Sequence, residues 1–279
     1  MNGKFGTFSI IFILISTKIY SQDILKNQFK YAVRLFNEEQ YYDAITEFKR
    51  LLFFDKSKKY MYDANEYIGK SYKMGAKFSD AILYFTYAEM NANNGDEIFQ
   101  SKIEIIRSNI LRRTPLHAIS LLDSLMNDRR FLDKSKEIHY WLGWSYIFND
   151  QWNEAAKEFN LTNTNKTLVE LCNKTYDKKY SASFAKIISL FIPGAGQVYT
   201  GHYFSGALSL GWNVLWGYTT INAFAANRIF DGLVIGNLLW FRFYNGNLQN
   251  AYNFAVEENL IITNSAMNYL QFEFKGLKP

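Results

Sequence analysis

The sequence contains little cysteine and little proline. A single cysteine, Cys172, among 279 residues excludes an internal disulfide framework and any cysteine-based metal cluster. Only 3 prolines, set against 24 Phe and 20 Tyr, favour long helices with a large apolar interior over a turn-rich β fold. The net charge of +5 is small and scattered, so nucleic acid is not an expected partner.

Charge is also scarce over the last third of the chain. Of the 57 charged side chains (31 basic and 26 acidic), only nine follow Ser181. This distribution predicts one part of the chain that faces water and a second part that avoids charge.

The first 21 residues have the order of a signal peptide. One positive charge at Lys4 precedes an apolar stretch, Phe5–Thr17, and Ser21 offers a small residue before a cleavage point. The apolar stretch is short for a membrane-spanning helix. Because Lys18 lies unusually close to the cleavage point, an uncleaved anchor is the alternative. Either reading predicts that the rest of the chain is exported.

Residues 22–165 contain a repeat with a constant step. Four alanines follow one another at intervals of 37 residues, and a large apolar residue comes four positions after each of them. A small or aliphatic residue lies twelve positions before each alanine. These spacings place the side chains on one face of a helix and predict four helix pairs that bury their apolar faces by stacking. The alanines are Ala44, Ala81, Ala118 and Ala155; the large residues are Phe48, Phe85, Leu122 and Phe159; the earlier residues are Ala32, Gly69, Ile106 and Gly143.

The fourth repeat gives the clearest family resemblance. Trp141-Leu142-Gly143-Trp144-Ser145-Tyr146, with Trp152–Phe159, resembles the tetratricopeptide repeat family, although the step of 37 exceeds the usual step of about 34. The resemblance implies a helical solenoid that binds a protein or peptide on a concave face built from the first helix of each pair. The residues expected on that face are Lys70, Lys73, Arg107, Tyr140, Trp144 and Phe148. The alternative for Trp144 and Phe148 is packing against the next helix pair, here the C-terminal region.

The C-terminal part is predicted to be a membrane domain. After a linker at 166–182, residues 183–250 form a hydrophobic hairpin, and residues 251–279 form an amphipathic tail. No charged residue occurs from Ile187 to Asn227, and Phe204–Ala226 is long enough to cross a bilayer. A second candidate span begins at Phe230. The alternative is a buried hydrophobic hairpin that caps the solenoid.

A glycine-rich motif lies before the first candidate span. It resembles the Pro-Gly-x-Gly-Gln-x-Tyr-x-Gly signature of small bacterial two-helix membrane domains, most of them uncharacterised. Its residues are Pro193, Gly194, Gly196, Gln197, Tyr199, Gly201 and Gly206. We expect Gln197, Tyr199 and His202 to hydrogen-bond loop carbonyls, a structural role rather than a ligand site.

The sequence therefore predicts an all-α protein, a tetratricopeptide-like solenoid followed by a transmembrane helical hairpin. We find no catalytic arrangement and expect no cofactor, no metal and no enzymatic activity. The favoured function is an exported, membrane-anchored scaffold for protein–protein interaction at the bacterial envelope, in the inner membrane with the repeats in the periplasm. Its partners would be a protein or peptide and the lipid bilayer. The alternative is an accessory subunit for membrane-protein insertion or transport, with the hairpin as its functional part.

Overall fold

The computed structural model describes residues 24–162 and 166–279. These residues form helices joined by turns and contain no strand, so the all-α prediction is confirmed. The predicted signal peptide at 1–21 lies outside them. The chain divides into two compact units. The repeat unit ends at Val169 and also includes Lys278 and Pro279, and the C-terminal unit is Glu170–Leu277.

The described residues of the repeat unit form four helix pairs. A short 3-10 helix, Arg129–Lys134, precedes the fourth pair. The pairs are α1 at residues 24–37 with α2 at Tyr41–Phe54, α3 at Met61–Met74 with α4 at Phe78–Met90, α5 at Gly95–Leu111 with α6 at Pro115–Met126, and α7 at Ser135–Phe148 with α8 at Trp152–Thr162.

The core of this unit lies at the repeated positions. All four repeat alanines and all four large residues that follow them have no solvent exposure. The small residues of the first helices allow the second helices to approach closely, since a Cβ on Gly143 would lie 2.6 Å from the Phe159 ring. Full burial of one such Phe contributes about 1.5–3 kcal/mol to folding. The predicted packing of these positions is confirmed.

The turn from each first helix to its second helix has the same unusual backbone. The residue two positions after each first helix has a positive φ between 55° and 64°, and these residues recur every 37 positions. The next residue donates its N–H to a carbonyl five positions earlier, as Lys77 does to Tyr72 at 2.9 Å. This hydrogen bond is typical of the Schellman motif at a helix end. Glycine usually occupies the positive-φ position of that motif. The positive-φ residues are Glu39, Ala76, Arg113 and Asp150.

The C-terminal unit is also helical. The segment 166–182, predicted as a linker, is mostly occupied by α9, and the predicted boundary between hairpin and tail at residue 250 falls inside α14. The helices are α9 at Lys166–Lys178, in which the division between units falls, α10 at Ala182–Phe191, α11 at Ala195–Tyr199, α12 at Tyr203–Ala225, α13 at Ile229–Ile235, a π-helical turn at Gly236–Trp240 and α14 at Phe241–Phe272.

The structure does not support the predicted transmembrane hairpin. Within the described residues, no helix combines the length and the apolarity that crossing a membrane requires. The 23 residues of α12 are numerous enough, but Asn213, Asn222 and several glycines and hydroxyl residues lower their hydropathy. The second candidate span from Phe230 continues as helix through α13 and the π-helical turn into α14, and it contains the charged residues Asp231 and Arg242.

Replacing Ala76 with glycine tests the recurring turn. Ala76 has φ = 55°, a conformation in which its Cβ is strained and glycine is not. We expect Ala76→Gly to raise the free energy of unfolding by about 0.5–1 kcal/mol, measured as a higher urea midpoint at unchanged slope. The control is Ala88→Gly inside α4, which should lower stability by about 1 kcal/mol or more. Destabilisation by both changes would contradict the role assigned to the turn.

Candidate functional site

The first helices of the repeat unit bring together five charged residues from α3 and α5. We call Glu66, Lys70, Lys73, Glu104 and Arg107 the inner-face cluster. Lys70 and Arg107 occupy equivalent repeat positions, 37 residues apart, and so do Glu104 and Trp141 of α7. Stacking of helix pairs places equivalent positions on neighbouring first helices side by side.

Ion pairs connect the members of the cluster. Lys70 Nζ lies 3.1 Å from Glu66 Oε1, and Lys73 Nζ lies 3.0 Å from Glu104 Oε2. Glu104 also accepts a hydrogen bond from the Arg107 guanidinium. The Arg107 guanidinium carbon lies 4.9 Å from the centroid of the Trp141 ring, within the range of a cation–π contact. Arg107 is therefore held between a carboxylate and an aromatic ring.

Burial opposes ionisation in this cluster. Desolvation lowers the pKa of Lys73, although the neighbouring Glu104 acts in the opposite direction. Desolvation likewise raises the pKa of the Glu66 carboxyl, partly offset by Lys70. Ion pairs this far out of water are weak contributors to stability, because the desolvation of each charge offsets their attraction. A stabilising role for the cluster is thus poorly supported.

Three polar atoms around the cluster are buried without a hydrogen-bond partner among the described residues. They are the Oε2 atom of Glu66, the Nε atom of Arg107 and the indole Nε1 of Trp141. The first is an acceptor and the other two are donors. Unpaired polar atoms in a folded protein are uncommon and call for an explanation. Because a peptide main chain offers N–H donors and C=O acceptors, it is a ligand that could satisfy both kinds of atom.

The six residues predicted for the concave face occupy different environments. Lys70, Lys73 and Arg107 lie in the cluster. Tyr140 borders it, with its ring 5.1 Å from that of Trp141 and its pKa raised mainly by burial.

The last two predicted residues pack against other residues of the repeat unit. Trp144 is 2% exposed, and its ring meets that of Phe159 edge-on at 6.4 Å. Phe148 packs against Trp144 at 6.5 Å and lies under the Arg113 guanidinium at 5.0 Å. These contacts place Trp144 in the repeat core.

Sequence reasoning missed Glu66 and Glu104 as members of the cluster, and it missed the contact of Arg107 with the buried Trp141 ring. A signal was available, since Glu66 precedes Lys70 by four residues and Glu104 precedes Arg107 by three, spacings at which side chains meet on a helix. The contact between Lys73 and Glu104 joins two helices and could not be deduced from such spacing.

In the C-terminal unit, the motif residues build a buried polar network around Gln197. The Gln197 Nε2 donates to the carbonyl oxygen of Asn247 at 3.1 Å and to its side-chain Oδ1 at 2.9 Å. It also lies 3.2 Å from Ser209 Oγ, while Ser189 Oγ lies 3.3 Å from Gln197 Oε1. This network joins α10, α11, α12 and α14.

The glycines of the motif permit this close packing. Gly194 has φ = 93°, and a Cβ there would lie 2.2 Å from the carbonyl oxygen of Gly206. A Cβ on Gly196 would lie 2.2 Å from the carbonyl oxygen of Ala185. The backbone N–H groups of both glycines also join the network. Gly194 donates to Asn247 Oδ1 and Gly196 donates to Ser189 Oγ, both at 2.8 Å.

The remaining motif residues shape the segment around α11. Pro193 follows the end of α10, and Gly201, with φ = 84°, follows the end of α11. The Tyr199 hydroxyl accepts a hydrogen bond from the Ser181 N–H at 3.3 Å rather than donating to a carbonyl. His202 Nδ1 lies 3.2 Å from the Thr200 carbonyl oxygen, and its ring stacks on Phe254 at 4.0 Å.

Comparison with known proteins identifies no relative. No protein-family model, curated protein or solved structure matches the chain. The described residues also contain no group of three or more His, Cys, Asp or Glu side chains arranged to hold a metal ion. The functional argument therefore depends on the geometry of the chain itself.

The raised pKa of Glu66 predicts a dependence of stability on pH. Because the folded chain favours the neutral carboxyl, this group's contribution to stability is fully present below about pH 4.5 and is lost as the pH rises through the raised pKa. Relative to Glu66→Gln, the wild type should therefore lose stability as the pH rises across this window. Urea unfolding at a series of pH values measures the difference, with Glu38→Gln on the exposed surface as the control. Parallel curves for wild type and Glu66→Gln would contradict the assignment.

Proposed function

We propose that this chain is an interaction scaffold. It binds an extended segment of a partner protein at the inner-face cluster and contacts a lipid bilayer through its C-terminal unit. The observation that carries the first part is the set of buried, unpaired polar atoms of Glu66, Arg107 and Trp141 beside paired charges. No described element of the chain satisfies them, and the Arg107 side chain, which is 19% exposed, is the member that a partner's main chain can reach.

The chemistry of the cluster favours a peptide over a small molecule. Arg107 is a residue type that anchors protein interfaces, and its cation–π contact with the buried Trp141 ring holds it in place before binding. The cluster contains three basic and two acidic side chains, so its excess charge is one positive unit. A segment with exposed carbonyls or a modest negative charge suits this surface. The resemblance to tetratricopeptide repeats supports the same location.

The lipid contact is proposed from the surface of the C-terminal unit. Phe204, Tyr218 and Phe230 are between 67% and 79% exposed, and other exposed aromatic and aliphatic side chains of α12 and α13 accompany them. Soluble proteins rarely expose apolar surface on this scale, and aromatic side chains are favoured at a bilayer interface. We propose that this surface lies in the boundary between lipid headgroups and acyl chains. With the signal-peptide order of residues 1–21, this supports a place at the bacterial inner membrane with the repeats in the periplasm.

A second candidate is an accessory subunit for membrane-protein insertion or transport. The observation in its favour is the Gln197 network, a buried polar arrangement in the same unit as the exposed apolar surface. Gln197→Met, which removes the amide and retains the volume, separates the two functions. Loss of peptide binding by this variant would favour the second candidate, because the scaffold proposal places no binding residue there.

Peptide binding is testable by panning a phage-displayed library of random peptides against the full chain. We expect the wild type to enrich binding peptides and Arg107→Ala to weaken their binding about tenfold or more, because a charged donor is lost from a partly buried site. Arg50→Ala is the matched control, since the Arg50 side chain on α2 is 56% exposed and pairs with Glu47. Absence of enrichment, or enrichment that is indifferent to Arg107, would reject the scaffold proposal.

Lipid binding is testable by flotation of the full chain with vesicles of phosphatidylethanolamine and phosphatidylglycerol. We expect the double variant Phe204→Asp/Phe230→Asp to bind at least about tenfold less, since two exposed aromatic anchors are replaced by charge. Tyr42→Asp is the control, because Tyr42 is 83% exposed in the repeat unit. Equal flotation of the double variant and the wild type would remove the support for lipid contact.

A further inference from the structure

The inner-face cluster already contacts one main-chain carbonyl of this chain. Lys278 and Pro279 belong to the repeat unit, although they follow the C-terminal unit in sequence. The Nη2 atom of Arg107 donates a hydrogen bond to the carbonyl oxygen of Lys278 at 2.9 Å. The donor is the residue that the proposed function assigns to a partner peptide, and the acceptor is a peptide carbonyl.

We propose that the segment Lys278–Pro279 is an internal ligand of the inner-face cluster and competes with the partner peptide for Arg107. This inference rests on the proposed function and adds a form of autoinhibition to it. A partner would have to displace the segment before it could bind.

The segment is suited to present its carbonyl. Lys278 lies outside any helix, and a residue that precedes proline is restricted to extended conformations. Pro279 has no backbone N–H and therefore donates no main-chain hydrogen bond. The Arg107 guanidinium is also held in position to donate this hydrogen bond, because it contacts both Glu104 and the Trp141 ring.

The internal contact leaves the site incompletely satisfied. With Lys278 bound, Glu66 Oε2, Arg107 Nε and Trp141 Nε1 still have no hydrogen-bond partner among the described residues. A partner segment that makes more contacts with Arg107 than this single hydrogen bond would bind more strongly than the internal one. The segment therefore acts as a displaceable occupant rather than as a permanent part of the core.

The test compares the full chain with a chain that lacks Lys278 and Pro279. The probe is a fluorescein-labelled peptide with the sequence of Gln271–Pro279, and its binding is measured by fluorescence anisotropy. We expect the shortened chain to bind the probe about tenfold more tightly, because the competing segment is absent. In the shortened chain, Arg107→Ala should abolish this gain and Arg50→Ala should not. Matching thermal unfolding curves of the two chains would establish that the deletion leaves the fold intact.

Two outcomes would overturn the inference. Equal binding of the probe by both chains, still sensitive to Arg107→Ala, would show that the segment does not compete, while the proposed function would stand. Absence of binding to either chain would show that the segment is not a ligand of the cluster. The proposed function would then be decided separately by the library experiment.

Discussion

The left-handed turn after each first helix is the constraint on which the repeat unit depends. It reverses the chain within a few residues, and its recurrence every 37 positions gives every helix pair the same geometry. Only with that geometry do the repeat alanines meet the first helices closely enough to exclude water from the large residues beside them. The constant step of 37 residues also places equivalent positions of neighbouring first helices side by side, so residues of α3, α5 and α7 lie together. Packing and the candidate site thus have a common origin.

That surface contains more charge than its burial favours. The pKa of Lys73 is lowered and that of Glu66 is raised because both lie away from water. A hydrophobic replacement of such pairs is often neutral or stabilising in proteins. We therefore propose recognition rather than stability as the role of the cluster, and the carbonyl of Lys278 on Arg107 is the kind of chemical group that this proposal requires.

The C-terminal unit buries a polar network and leaves many large apolar side chains exposed. The Gln197 amide and Asn247 hold four helices together through buried hydrogen bonds, where glycines let the backbones approach. Such a network is strong when its members are paired, because the low dielectric of the interior strengthens each bond. Rings such as Phe204 and Phe230 are left exposed. Our lipid proposal follows from these exposed apolar side chains.

The sequence by itself determined the helical class, the helix pairs and the buried residues of the repeat unit, because a fixed step of 37 leaves the same face of each helix apolar. It also singled out Lys70, Lys73 and Arg107. It predicted membrane-spanning helices that the structure does not support, since it weighted the absence of charge above the Asn, Gly and hydroxyl residues that lower the hydropathy of α12. The sequence did not predict the recurring left-handed turns, because the four residues with positive φ have different side chains and none of them is glycine. Only the tertiary structure decided that Lys73 meets Glu104, that Trp144 packs inward and that Lys278 reaches Arg107. These contacts join residues distant in sequence, and the folding of whole helices, rather than local spacing, brings them together.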